Sequence, residues 1–133
     1  MTALKIRLRR FLLKAEGHEE IQTPEGISQE FTLFYRHHHI GTLALKNGRW
    51  SFFYSEYFKT KLPIQPLSDF PEVKNIYAFE ELHPFFLQRI PSLKQRKIKE
   101  IIEKEKLDIH NEVELLKRFG KLTISNPFIL QAV

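Results

Sequence analysis

No cysteine occurs anywhere in the 133 residues. That excludes disulfides, thiolate metal sites and cysteine nucleophiles, and it is compatible with a reducing compartment. Glycine is scarce and scattered, at positions 17, 26, 41, 48 and 120, so no glycine-rich loop is present to cradle phosphate. Long apolar runs are missing as well. In the basic start MTALKIRLRRFLLKAEG the longest is Phe11-Leu12-Leu13, too short for a secretory signal, and nothing approaches the ~20 residues of a membrane span. A cytoplasmic protein with no membrane contact is the expectation. No serine sits in a nucleophile-elbow pattern, and no nucleophile, base and oxyanion donor are grouped by any motif. The sequence therefore points away from an enzyme and calls for no cofactor.

Acidic residues are absent from the first fourteen positions, which carry Lys5, Arg7, Arg9, Arg10 and Lys14. The formal net charge is +5, and the remaining chain balances sixteen basic against sixteen acidic residues. The positive charge thus belongs to one segment rather than to a domain surface. Residues 1–30 read as a basic extension: Leu4, Ile6 and Leu8 alternate with basic residues as in a strand, although Leu4, Leu8, Phe11 and Leu12 also fit a helix face. Gly17 to Ser28, with Pro24 and Gly26, reads as a loop. Residues 31–133 form the domain, and its length suffices for a core without covalent staples.

The chain is organised around Phe31 to Tyr54. Three apolar runs, Phe31–Tyr35, Ile40–Leu45 and Trp50–Tyr54, are rich in aromatic and β-branched residues and separated by polar breaks, the pattern of strands. Asn47-Gly48 marks a tight hairpin turn. These features predict a three-stranded antiparallel meander over 31–54. Trp50, Phe52 and Phe53 put bulk on both faces, so both must be covered, one by the later helices and part of the other by this chain or a partner. Ser55 can cap a helical turn. Pro63, Pro66 and Pro71 keep residues 61–71 irregular, with Ile64, Leu67 and Phe70 as anchors. The segment Asn75 to Glu81 fits no one element. His83-Pro84 opens a helix that Pro91 ends, Ser92 can cap a helix to about Lys106, and Asp108 can cap a third to Phe119, with Gly120 as a left-handed stop. Leu122-Thr123-Ile124 reads as a last strand broken by Asn126-Pro127. The fold class is α+β: an antiparallel sheet covered by two or three C-terminal helices.

His37-His38-His39 is the one cluster of metal-binding residue type. Neighbouring residues in a turn or strand point apart, and a structural site needs four converging ligands, so a solvated turn is expected and no metal. Glu19-Glu20 and Glu80-Glu81 read as paired acids on a solvated surface. Phe34-Tyr35-Arg36 interleaves aromatic and basic residues in a way that can stack bases; the alternative is that Phe34 and Tyr35 are core.

Several stretches together carry a resemblance. Ile40-Gly41-Thr42-Leu43, a turn, and then Gly48-Arg49-Trp50-Ser51-Phe52-Phe53-Tyr54 resemble the opening strands of the N-terminal subdomain of HipA-type kinases. Pro63-Ile64 resembles the crossover of that family, Leu82 to Pro91 its Pro-Phe-Phe helix, and Glu114 to Gly120 the segment that closes the subdomain. The match runs from about Phe31 to Leu130. It departs from the family pattern at Gln65-Pro66 and at Ser92-Leu93. The kinase's phosphate-binding lysine, catalytic aspartate and metal-binding partner have no counterpart here. A freestanding copy of this subdomain is similar to the HipS-type antitoxins of tripartite HipBST systems. The resemblance implies a protein that binds and inhibits a HipA-like Ser/Thr kinase toxin (HipT-type) lacking its own N-terminal subdomain. The resemblance also implies that a separate helix-turn-helix protein (HipB-type) contacts DNA, in a ternary complex with the other two, so direct DNA contact by this chain is not expected. The alternative function is a small nucleic-acid-binding module using residues 1–14.

The partner-binding residues expected from the sequence centre on the corner between two helices. Ser92, Leu93 and Lys94 follow Pro91, and Leu93 falls off the Ile98, Ile101, Ile102 face, so it is placed to act as a wedge into a partner. The alternative is that Leu93 packs back onto Phe86 or Ile90. Trp50 is the runner-up anchor, the alternative being that in a central strand it belongs to the core, and Phe85 is a further expected anchor.

Overall fold

Asn47 and Gly48 both take positive φ, 53° and 74°, and close the hairpin between β2 (His38–Lys46) and β3 (Arg49–Tyr54). This is the geometry that matches the twist of the flanking strands. β1 (Gln29–Tyr35) precedes β2 through the two residues Arg36 and His37, with Tyr35 opposite His38. The computed structural model describes residues 17–133. The strand or helix reading of the first twelve residues, and the basic segment itself, lie outside the described residues. Five antiparallel strands are ordered β4-β3-β2-β1-β5. β4 is Ile76–Phe79, within the stretch that the sequence left open, and β5 is Phe128–Ala132.

The last strand corrects the sequence reading. Leu122-Thr123-Ile124 is irregular, and Asn126-Pro127 precedes the strand instead of breaking it. The place beside β1 is taken by residues 128–132, whose Leu130 reaches the core, whereas Leu122 and Ile124 are exposed.

Register sorts the side chains into two faces. Phe31, Leu43 and Phe52 are opposite one another across β1, β2 and β3, and Leu45 faces Trp50. All five are buried. A bulge lies in this register: Leu33 pairs with Gly41 and Phe34 with His39, which leaves Ile40 as the extra residue, fully buried. Gly41 is required there because a Cβ would stand 2.8 Å from the Phe52 ring and 2.5 Å from the Phe53 carbonyl.

Helices cover this first face. Ser55 caps α1 (Glu56–Lys61), accepting from the Phe58 N–H at 3.0 Å, and Phe58 stacks on Tyr54 at 4.7 Å. His83 Nδ1 caps α2 (Pro84–Leu87), accepting from Phe85 N–H at 3.0 Å, and Phe86 lies 5.6 Å from Phe52. α3 (Arg96–Glu105) buries no residue, while α4 (Glu112–Phe119) contributes Val113, Leu115 and Leu116 to the core. Ile64, Leu67 and Phe70 anchor the proline-rich crossover as expected; residues 62–71 hold no helix or strand, while Lys61, expected in the irregular span, is the last residue of α1.

Three helix ends differ from the sequence reading. Ser92 does not cap α3; its carbonyl accepts from Gln95 N–H at 3.2 Å, closing a turn, and Leu93 N–H is used by the Gly17 carbonyl. Asp108 accepts from His110 N–H at 2.9 Å, one turn before α4, whose cap is Asn111 Oδ1 on Glu114 N–H at 3.1 Å. Gly120 is not left-handed, with φ −89°. Its lack of a side chain matters for space, since a Cβ would lie 2.5 Å from the Leu116 carbonyl.

Residues 17–30 join the same core. Ile21 is 1% exposed, Gln22 N–H donates to the His110 carbonyl at 2.9 Å, and Glu112 N–H donates to the Gln22 carbonyl at 3.0 Å. Buried Glu112 accepts from Thr23 Oγ1 at 2.6 Å and from Trp50 Nε1 at 3.1 Å.

Arg89, 3% exposed, closes the other side of the domain. One guanidinium nitrogen donates to the carbonyls of Gly120 and Lys121 at 2.8 and 3.1 Å. The other donates to Asn126 Oδ1 at 3.2 Å and to the Phe128 carbonyl at 2.8 Å. Leu130 N–H donates to the Lys121 carbonyl at 3.0 Å. The outer edge of β5 is therefore occupied at residues 128 and 130, which blunts an otherwise adhesive sheet edge.

Two predictions follow from these buried polar ties. Arg89→Lys keeps the charge but cannot span both ends of the loop, and a lost charge-assisted bond costs about 1.5–3 kcal/mol. Urea unfolding should show that loss, and trypsin should cut after Lys121 faster than in wild type; unchanged cutting would separate Arg89 from the loop. Tyr54 Oη donates to the Phe70 carbonyl at 2.6 Å and accepts from Leu67 N–H at 2.9 Å. Tyr54→Phe leaves both groups without that partner, at a cost of about 1–3 kcal/mol. Burial pushes the Tyr54 hydroxyl up to about 12, above its ordinary ~10. The stability this group supplies is present below pH ~10 and is lost as the pH rises through about 12. The stability difference between wild type and Tyr54→Phe should therefore shrink over that window, and a pH-independent difference would contradict the assignment.

Candidate functional site

The residues expected to meet a partner occupy different environments. Trp50 is fully buried in the core, with its Nε1–H directed at Glu112 and Thr23. Of the two readings of Trp50 the structure takes the core one, not the interface anchor: position 50 is opposite Leu45 and Phe79 on the covered face and offers no surface. Phe85 is half-buried in an aromatic cluster, with ring centres 5.0 Å from Phe86, 5.9 Å from Phe70 and 6.0 Å from Phe128.

The corner at Pro91–Lys94 is clamped from outside. His18 Nε2–H donates to the Ile90 carbonyl at 2.7 Å, and Leu93 N–H donates to the Gly17 carbonyl at 3.2 Å. A Cβ on Gly17 would fall 2.0 Å from Ser92 Oγ, so the two segments touch. Gly17 also needs its φ of 89°, where other residues are strained. Leu93 is half-buried and packs against the core. Lys94 is exposed, with its Nζ 3.4 Å from Glu19 Oε2.

Of the three adjacent histidines, His39 parts from the other two. His37 is exposed and its ring lies 4.2 Å from that of His38, whose Nδ1 is 2.6 Å from Tyr57 Oη. His39 approaches Phe34 instead, at 5.8 Å. Only His37 is in the turn, because β2 starts at His38. Among the described residues no group of three His, Asp or Glu gathers as a metal site. Glu80 and Glu81 are half-buried, unlike the solvated pair read from the sequence, and Glu80 Oε2 is shielded without a hydrogen bond.

Two apolar surfaces remain among the described residues. The first is the second face of the sheet. Thr32, Thr42, Phe53 and Ile76 align across four strands, and Phe34 faces Ile129. None of Phe34, Phe53, Ile76 and Ile129 belongs to the core or packs against it, and Ile76 is 73% exposed. Tyr35, by contrast, lies at the core edge, 5.7 Å from Phe128, so Phe34 and Tyr35 part company. The second surface is the loop after α4, where Leu122 is 65% and Ile124 106% exposed. Sequence reasoning missed this loop because it assigned both residues to a strand. It missed Arg89 and Glu112 as buried groups because each looks like an ordinary helix-surface charge; only contacts distant in sequence bury them.

Among the described residues no helix is long and apolar enough to cross a membrane. No curated protein matches the chain. The sequence pattern of the family described as the HipA N-terminal domain matches residues 31–124, which holds the meander, the crossover, the four described helices and the start of the exposed loop. This chain therefore belongs to the HipA N-terminal domain family.

Proposed function

We propose that this protein docks onto a HipA-like Ser/Thr kinase chain that lacks the equivalent N-terminal subdomain and holds that kinase inactive, as an antitoxin of the HipS type. The observation that carries the reading is the match over residues 31–124 to a domain whose place is at the start of HipA proteins. An apolar sheet face supports it. Phe34, Phe53 and Ile129 are half-buried and Ile76 is exposed, and none of the four belongs to the described core; apolar side chains left outside a core can mark an interaction site. A helix-turn-helix protein of the HipB type would join the same assembly and contact DNA, leaving this chain as the protein-binding member.

Expressed together with the genes that flank it, the tagged chain should elute with a HipA-like kinase in a stable complex, and its presence should relieve growth arrest caused by that kinase. Deleting residues 1–14 should leave kinase binding in place. Elution alone, coupled to DNA binding that weakens steeply with salt and disappears with that deletion, would replace this reading with the nucleic-acid one.

A further inference from the structure

The first turn of α2 hangs on a titratable group. His83 Nδ1 accepts from Phe85 N–H at 3.0 Å, so the neutral ring carries its proton on Nε2. Ser, Thr and Asn, the usual residues at such a cap, keep their acceptor at every physiological pH. Histidine does not, because its charge changes near neutrality. The ring is also packed, with its centre 4.9 Å from that of Phe70 and 5.4 Å from that of Phe79. Among the described residues, the crossover brings Asp69 to it, whose charge favours protonation, but burial outweighs that and holds the imidazole below its ordinary value. β4 faces the ring with the uncharged Phe79, and Glu80 and Glu81 lead from β4 to His83. α2 itself carries no acid in its first turn and no base in its last.

Protonation removes the acceptor. An imidazolium presents N–H at both nitrogens, so a donor at Nδ1 would stand against the Phe85 N–H at hydrogen-bond distance. The two must part, either by the ring leaving its aromatic slot or by the start of α2 drawing away. Neither movement stays local. Phe86 lies 5.6 Å from Phe52 and 6.0 Å from Phe70 in the core. Arg89, two residues past the end of α2, holds both ends of the loop 120–128. We infer that His83 is an acid-sensitive latch: neutral, it fastens α2 between the crossover and β4, and protonated, it releases the start of α2 and loosens the side of the domain that Arg89 braces. This latch does not depend on the docking function proposed above. The folded chain favours the neutral ring more than the unfolded chain does, so the stability supplied by His83 is present above pH ~6.5 and is lost as the pH falls through the lowered folded value.

The test follows stability against pH in the full chain. His83→Asn keeps a cap acceptor that does not titrate. Between about pH 7.5 and about pH 5, wild type should lose about 3 °C or more of unfolding temperature beyond what His83→Asn loses, the size of effect that one helix cap gives. The other titrating groups are common to both chains and cancel. Parallel curves for the two chains overturn the inference. NMR of the wild type gives a second reading that needs no variant. The His83 ring protons should titrate below ~6.5, and the Phe85 amide, corrected for intrinsic exchange, should lose protection about tenfold over the same window. A ring that titrates at or above ~6.5, or a Phe85 amide whose protection holds through the titration, overturns it as well.

Discussion

A buried guanidinium with no carboxylate partner among the described residues organises one side of this domain. Taking such a charge out of water is costly, and it persists only where donors find acceptors. Arg89 finds four oxygens, all from residues 120–128. Burial lowers its pKa to about 10, which still leaves it charged at neutral pH. Because the acceptors span both ends of one loop, the end of α2, the exit from α4 and the entry to β5 are fixed together. The same contacts occupy the free edge of β5. An arrangement that shields one sheet edge also holds two apolar side chains out in solvent.

Buried polar ties of a second kind hold the start of the described chain. Glu112 receives Thr23 and Trp50, His18 reaches the Ile90 carbonyl, and Gly17 receives Leu93. These contacts explain why the corner at Ser92–Lys94 is clamped by residues 17–19. They also explain why Trp50, the single tryptophan, serves the core. The aromatic character of the sequence is thereby divided: Trp50, Phe52 and Tyr54 pack inward, while Phe34 and Phe53 remain on the other face.

The elements legible in the sequence are those set by local chemistry. Asn47-Gly48 fixes a hairpin, Ser55 caps one helix, Pro84 opens the next, and three prolines keep the crossover irregular, each through a preference that acts within a few residues. What escaped reading depends on distant partners. β4 is a four-residue edge strand, and its Ile76 points away from the core, so its pattern is weak. Leu122-Thr123-Ile124 has the alternation of a strand, but the slot beside β1 is taken by residues that follow Pro127. Ser92 has the chemistry of a cap, yet the neighbouring N–H of Leu93 is committed to Gly17. Of the expected partner-binding residues, Trp50 failed because an aromatic in a central strand looks the same whichever face it occupies; register alone decides. The exposed pair Leu122 and Ile124 carries no local sign of exposure at all.

Taken together, the fold is a HipA N-terminal domain with a covered face, an apolar second face and a braced apolar loop, and the function proposed for it is control of a kinase in trans. Titration of the purified chain into its partner kinase, with phosphoryl transfer as the readout, tests that claim most directly. The account predicts activity falling linearly to a break at a fixed molar ratio, as a tight stoichiometric inhibitor produces. Phosphoryl transfer that is unchanged by a molar excess of the chain would contradict it.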